Sequence, residues 1–246
     1  MPARQEPPAT ASPALVWDRP EPVKRSAPGP LSRDRIVRAA IAIADKEGLG
    51  GVSLRKVAAK LNAGPMRLYA YTSTKEGLFE LMVDAVYGEI AATGPIRGEW
   101  RDALRSIAHR TRKAAKKHNW FVDLLSRRIH LGPNALAYAE ASLAALSGKR
   151  GFEGIDTVLQ AVETFNAYVI GAIRGETSEL RAELESGINE REWQGVTWPY
   201  LQRMIATGRF PTIARVVEEA KHPSTDVAFE RGVDCVLDGI EARLAR

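Results

Sequence analysis

Two helix starts separated by a tight turn constrain this chain more than any other feature. Ser53 can cap a short helix over 54–61 whose buried face is Val57, Ala58 and Leu61, with Val52 as the apolar residue ahead of the cap. Asn62 tolerates the left-handed backbone that ends such a helix, and Gly64-Pro65 opens the next, because proline suits a first helical turn. That next helix is expected over 65–71. Ahead of the pair, Ser32 caps a helix over 33–47 with Ile36, Ala40, Ile43 and Ala44 on one stripe and Gly48 placed to stop it. Behind it, Thr74 caps a fourth helix carrying Leu78, Leu81, Met82, Ala85 and Val86, and Gly94-Pro95 break the pattern.

Beyond residue 95 the apolar spacing predicts amphipathic helices near 98–118, 121–130, 134–147, 153–175, 190–206 and 225–244, and no stretch alternates as a strand would. The fold class is therefore all-α: an N-terminal helix-turn-helix domain over 31–88 and a larger α-helical domain over 89–246. Residues 1–30 hold eight of the fourteen prolines and are expected to form a flexible extension, whose Lys24 and Arg25 suit a polyanion.

Composition narrows the function classes. With 45% hydrophobic and 26% charged residues the chain has the make-up of a soluble globular protein. A single cysteine, Cys235, excludes an intrachain disulfide framework and a multi-thiolate zinc site, and fits a reducing cytoplasm. No run reaches the ~18–20 apolar residues of a membrane span, and the first thirty residues lack the apolar stretch of a signal peptide, so a cytoplasmic location with no membrane partner is expected. Among His109, His118, His130 and His222 there is no HExxH pair, and no nucleophile elbow, GxGxxG or phosphate loop occurs. Catalytic residues, metal ligands and cofactors are accordingly not expected, and an enzyme is the disfavoured class. His109 and His118, within the basic 105–118 run, read as surface groups. The formal charge of +5 is unevenly spread: residues 24–75 carry eleven basic and three acidic side chains, a net of +8, so the remainder is acidic on balance.

The stretch from Val52 to Lys75 resembles the DNA-binding segment of the tetracycline-repressor (TetR/AcrR) family, through buried Val57, Ala58 and Leu61, the turn, Leu68-Tyr69, and Lys75-Glu76 leading into a helix with Leu78. The resemblance implies a base-reading role for Arg67, which is also the physical expectation. A helix seated in the major groove needs long polar side chains at its N-terminal turn, and a guanidinium can grip guanine with two hydrogen bonds. Pro65 and Met66 flank it with apolar surface for thymine methyls. Ser53, Arg55, Tyr69, Tyr71 and Lys75 match the family's phosphate-contacting set, which positions without reading sequence. Two positions depart from the family pattern: Asn62 replaces the usual turn glycine, and Thr72 replaces an apolar residue, which predicts a weaker seam between the third and fourth helices.

Trp100-Arg-Asp-Ala-Leu-Arg, Gly132-Pro-Asn-Ala-Leu, Thr207-Gly-Arg-Phe-Pro and Phe229-Glu-Arg-Gly-Val-Asp with Leu237-Asp-Gly-Ile are similar to a ligand-binding and dimerisation domain of the same family. The resemblance implies a homodimer on a palindromic operator in double-stranded DNA, released by an unknown small-molecule effector. The implied dimer stripes are Val158 and Val162 on one helix, and Phe229, Val233, Val236, Leu237 and Ile240 on another; either stripe also serves as intrachain core. Trp120, Phe121, Tyr138, Phe165, Asn166 and Trp193 are the candidate effector lining. A repressor is the leading reading. An activator, or a DNA-binding protein of this fold that needs no ligand, stays open at this point.

Overall fold

The computed structural model describes residues 15–22, 31–125 and 129–244, and all regular structure among them is helical. Caps start the first helices where the sequence places them. Ser32 accepts a hydrogen bond from the Arg35 amide and opens α1 (Arg33–Gly51); Ser53 accepts from Lys56 and opens α2 (Leu54–Lys60). Gly48 interrupts α1 with φ 70°, a left-handed value that glycine adopts without steric cost. Asn62 takes φ 52° in the turn, as expected of a residue whose short side chain tolerates that region. The next helix, α3 (Pro65–Leu68), stops three residues short of the expected Tyr71, and Thr74 then caps α4 (Lys75–Ala91).

The chain divides into two compact units: residues up to Pro95 together with Lys117–Glu140, and Ile96–Lys116 together with Ala141–Arg246. The expected boundary at 88/89 is thus not where the structure divides. α4 continues to Ala91, and the 117–140 segment joins the first unit because its polar groups bond to α1 and α4.

In the first unit α1 packs on α2 and α4, and α2 on α3. Ile36, Ala40, Val57, Ala58, Leu68, Leu78 and Met82 are fully or almost fully buried. α6 (Phe121–Leu124) covers only the start of the expected 121–130 helix, whose residues 126–128 lie outside the described residues. α6 packs on α4. α7 (Pro133–Leu146) begins beside Asp84, a buried carboxylate on α4 that accepts hydrogen bonds from the Asn134 amide, the Asn134 side-chain NH₂ and the Ala135 amide, each at 2.9 Å. Those amides have no intrahelical partner, so Asp84 caps α7 from another element.

Three expectations need correction here. Thr72 is fully buried and its hydroxyl donates to the Thr74 carbonyl at 3.0 Å, with Gly77 leaving room for it, so the α3–α4 seam is satisfied rather than weakened. His118 is not a surface group: its side chain is 2% exposed, with Nδ1 2.7 Å from Asp45 and Nε2 3.2 Å from Glu89. And the N-terminal extension is structured over part of its length. Val16–Asp18 form a 3-10 turn with Val16 buried, while residues 1–14 and 23–30, including Lys24 and Arg25, lie outside the described residues.

In the second unit α8 (Ile155–Ser186) packs along α11 (Thr225–Leu244). The sequence reading ended α8 near 175, but the helix passes through Gly171 and Gly175 and ends at left-handed Gly187. α5 (Trp100–Lys117) faces α11 through a charged seam: Arg101 pairs with Asp238 and Glu241, Arg105 with Asp234, His109 with Glu230, and Arg112 and Lys116 with Asp226. Arg112 is buried, grips Glu176 on α8 at 2.9 Å and lies 4.5 Å from the centre of the Phe229 ring. Arg105, His109, Arg112 and Lys116 of the basic 105–118 run lie along this seam, and His109, unlike His118, is exposed as expected. α9 (Glu190–Ala206) and α10 (Pro211–Glu219) form a hairpin on each other; α10 was not anticipated.

Candidate DNA interface and effector domain

The turn at 61–64 holds α3 across α2, and Leu68, fully buried, is the single core anchor of α3. This leaves its N-terminal residues outward. Pro65 and Arg67 are exposed, and Met66 is 79% exposed, far more than a core methionine. Arg55 and Lys75 are exposed as well, Lys75 resting 5.3 Å from the Phe79 ring centre. Tyr69 is exposed, and Ser53 is half-buried with its oxygen already accepting from the Lys56 amide, leaving its O–H free to donate to a phosphate.

Tyr71 does not belong with this group. Its ring is buried and its hydroxyl donates to the Leu31 carbonyl at 2.7 Å, so it ties the turn after α3 to the chain ahead of α1. The same face carries an element that sequence reading missed: Arg19, beyond the 3-10 turn, points a guanidinium nitrogen at the Tyr69 carbonyl, 3.5 Å away.

The six candidate lining residues do not converge on one cavity. Phe121 and Tyr138 come together around Tyr87, with ring centres 5.4 and 4.8 Å from it, and His130 lies 6.4 Å off. Burial, with Tyr138 and Asp84 nearby, pushes the Tyr87 hydroxyl well above its ordinary range, so it stays a neutral donor. His130 bonds Glu80 at 3.0 Å through Nδ1 and the Leu124 carbonyl through Nε2. Trp120 instead donates to Asp45 at 2.7 Å and is structural. Phe165 is core of the second unit, Asn166 is half-buried, and Trp193, 60% exposed, edges a shallow cleft of about 220 Å³ with Glu179, Glu183 and Ile188. The sequence signal for Asp84 was present, a lone carboxylate inside the apolar run 81–86. Tyr87 and His130 carried no local sign.

The proposed dimer stripes are occupied within one chain. Val158, Val162, Phe229, Val233, Leu237 and Ile240 are buried within the single chain, where α8 and α11 pack together, and Val236 is half-buried beside a cleft of about 520 Å³ lined also by Phe152, Thr157, Gln160 and Gly239. Apolar residues that do remain outward on α8 are Ile155, 66% exposed, and Leu159.

A short helix set on a capped partner by a tight turn, with its first residues outward and basic, defines a helix-turn-helix DNA-binding regulator. The family model for the tetracyclin repressor-like C-terminal domain matches residues 94–244. The repressor DrrR1 of Streptomyces coeruleorubidus is 34% identical, the match spanning 94% of this chain and 85% of DrrR1. An HTH-type transcriptional regulator of Saccharopolyspora erythraea is 38% identical over 94% of this chain and 93% of its own. Among solved structures, apo ActR from Streptomyces coelicolor superposes with a TM-score of 0.72 at 25% identity, covering 89% of this chain and 99% of ActR. The chain belongs to the tetracycline-repressor family of transcriptional regulators. No helix among the described residues is long and apolar enough to cross a membrane.

Proposed function

We propose that the chain is a repressor that grips a palindromic operator as a homodimer and lets go when a small molecule occupies its C-terminal domain. The observation that carries the DNA reading is the outward Pro65-Met66-Arg67 turn at the start of α3. Arg67 reads a base edge, Pro65 and Met66 offer apolar contact, and Ser53, Arg55, Tyr69 and Lys75 hold phosphates. One four-residue helix reads too few bases alone, so two copies on a two-fold site supply the rest. Support for a second copy comes from apolar side chains left outward in the second unit, on α8 (Ile155, Leu159) and on α9 (Trp193, Val196, Tyr200).

For the effector, the Tyr87–Phe121–Tyr138 aromatic group with His130 is the favoured contact surface, since it pairs ring faces with a buried neutral hydroxyl. ActR has been solved in complex with actinorhodin, at 25% identity to this chain and a TM-score of 0.69, which makes that compound the first probe.

Selection from a random duplex pool tests the reading. An enriched palindrome, bound by the parent chain and lost by Arg67→Ala, is the expected result; a good bidentate contact is worth ~1–3 kcal/mol of discrimination. No enrichment, or equal binding by both proteins, would remove the sequence-reading role. With the winning duplex in hand, release by actinorhodin that disappears in Tyr87→Ala places the effector at the aromatic group.

A further inference from the structure

The segment ahead of α1 does more than lead into it. Leu15–Pro22 runs across three elements of the first unit at once. Val16 is seated against the first turn of α4, where a Cβ on Gly77 would lie 3.6 Å from Val16 Cβ. Glu21 accepts the Arg33 amide at 2.8 Å, adding a carboxylate to the N-terminus of α1 beside the Ser32 cap. The Arg33 guanidinium in turn donates to the Arg19 carbonyl at 2.8 Å, fixing the backbone from which the Arg19 side chain reaches the Tyr69 carbonyl.

That carbonyl matters because of where it sits. α3 has four residues and one buried anchor, Leu68, and a helix so short has no stability of its own. Its last carbonyl, that of Leu68, accepts the Tyr71 and Thr72 amides, and the next one, that of Tyr69, takes its donor from outside the turn. Both ends of the Tyr69–Tyr71 turn are held by the chain preceding α1: Tyr69 by Arg19, Tyr71 by Leu31. We propose that Leu15–Pro22 is a strap belonging to the operator-reading module, in which Val16 is the anchor and Arg19 a positioning residue that sets the pose of α3 through the Tyr69 carbonyl.

This rests on the DNA-binding reading above, and the test separates the two. Full-length protein is titrated onto the selected operator and onto a random duplex of equal length, at two salt concentrations. Loss of this exposed 3.5 Å contact, at the long end of the hydrogen-bond range, predicts that Arg19→Ala weakens operator binding about threefold. Because positioning affects base reading and not phosphate neutralisation, random-duplex affinity and the salt slope stay at their parent values. Arg19→Lys, which can still donate to the carbonyl, recovers most of the loss. Val16→Asp, which places a charge in the apolar seat, reproduces the Arg19→Ala defect with helical circular dichroism unchanged. Operator affinity unaltered in Arg19→Ala overturns the proposal. So does equal weakening on both duplexes with the salt slope lower by about one, which makes Arg19 a phosphate ligand instead. If the parent chain itself prefers no duplex, it is the DNA reading that fails.

Discussion

The DNA-binding head and the α9–α10 hairpin are built from the same material and settled in opposite ways. In the head, α2 and α3 have only seven and four residues, yet each is fixed by side chains set fully in the core: Val57 and Ala58 of α2 and Leu68 of α3. In the hairpin, α9 alone has seventeen residues and a complete capping box between Asn189 and Glu192, yet none of the described side chains over 191–219 is buried. Trp193, Val196, Trp198 and Tyr200 all face outward. Caps and propensity are enough to write a helix, whereas burial is what pins one. A recognition helix must be pinned because an ångström of drift costs base contacts; a hairpin without a core of its own can move as a piece.

The sharpest way to break this contrast is to remove the pin. Leu68→Ala is expected to cost ~2–5 kcal/mol in denaturant unfolding, the range for emptying a fully buried leucine site; a cost near that of a surface change would mean α3 is held by something else. Tyr71→Phe keeps the ring and deletes the donor to Leu31, predicting a loss of about 1 kcal/mol by the same measurement. A third region sharpens the comparison, the α5–α11 seam, which is pinned by charge. The Arg112 guanidinium, hydrogen-bonded to Asp226, holds that carboxyl below its ordinary range. A depressed carboxylate contributes stability that is present above its unfolded value and lost as pH falls through the folded one. Amide protection along α11, corrected for the intrinsic exchange rate at each pH, is therefore expected to fall below about pH 4, with α2 and α3 lagging behind. The smallest effect belongs to the hairpin: Trp193→Ala is expected to shift the unfolding free energy of the single chain by under ~0.5 kcal/mol.

What sequence reading could see follows the same division between local and distant causes. Ser32, Ser53 and Thr74 act on amides three residues away, and Asn62 acts on its own backbone, so the first four helix starts and the turn were legible. The end of α3 was not, because it depends on Tyr71 turning inward to a carbonyl forty residues back. His118 gave the same difficulty: inside a basic run it reads as surface, and only the approach of Asp45 and Glu89 makes its burial tolerable. The aromatic candidates failed for another reason. Rings at helical spacing carry no mark of whether they meet a partner, so Trp120, Phe165 and Trp193 looked alike and ended in a polar tie, a core and solvent. α10 did have a signal, a stop at Gly208 followed by Pro211 in a first turn.

Asp84 and Gly132 show how the fold restricts its own variation. A Cβ on residue 132 would fall 2.7 Å from Asp84 Cβ, and Asp84 cannot swing aside without giving up the three donors at the start of α7. While Asp84 holds those donors, position 132 has room for nothing larger than glycine. In chimaeras assembled from related regulators, a crossover anywhere between 84 and 132 joins this carboxylate to a stranger's loop, and the recombinants that survive should be those whose second parent already carries glycine there.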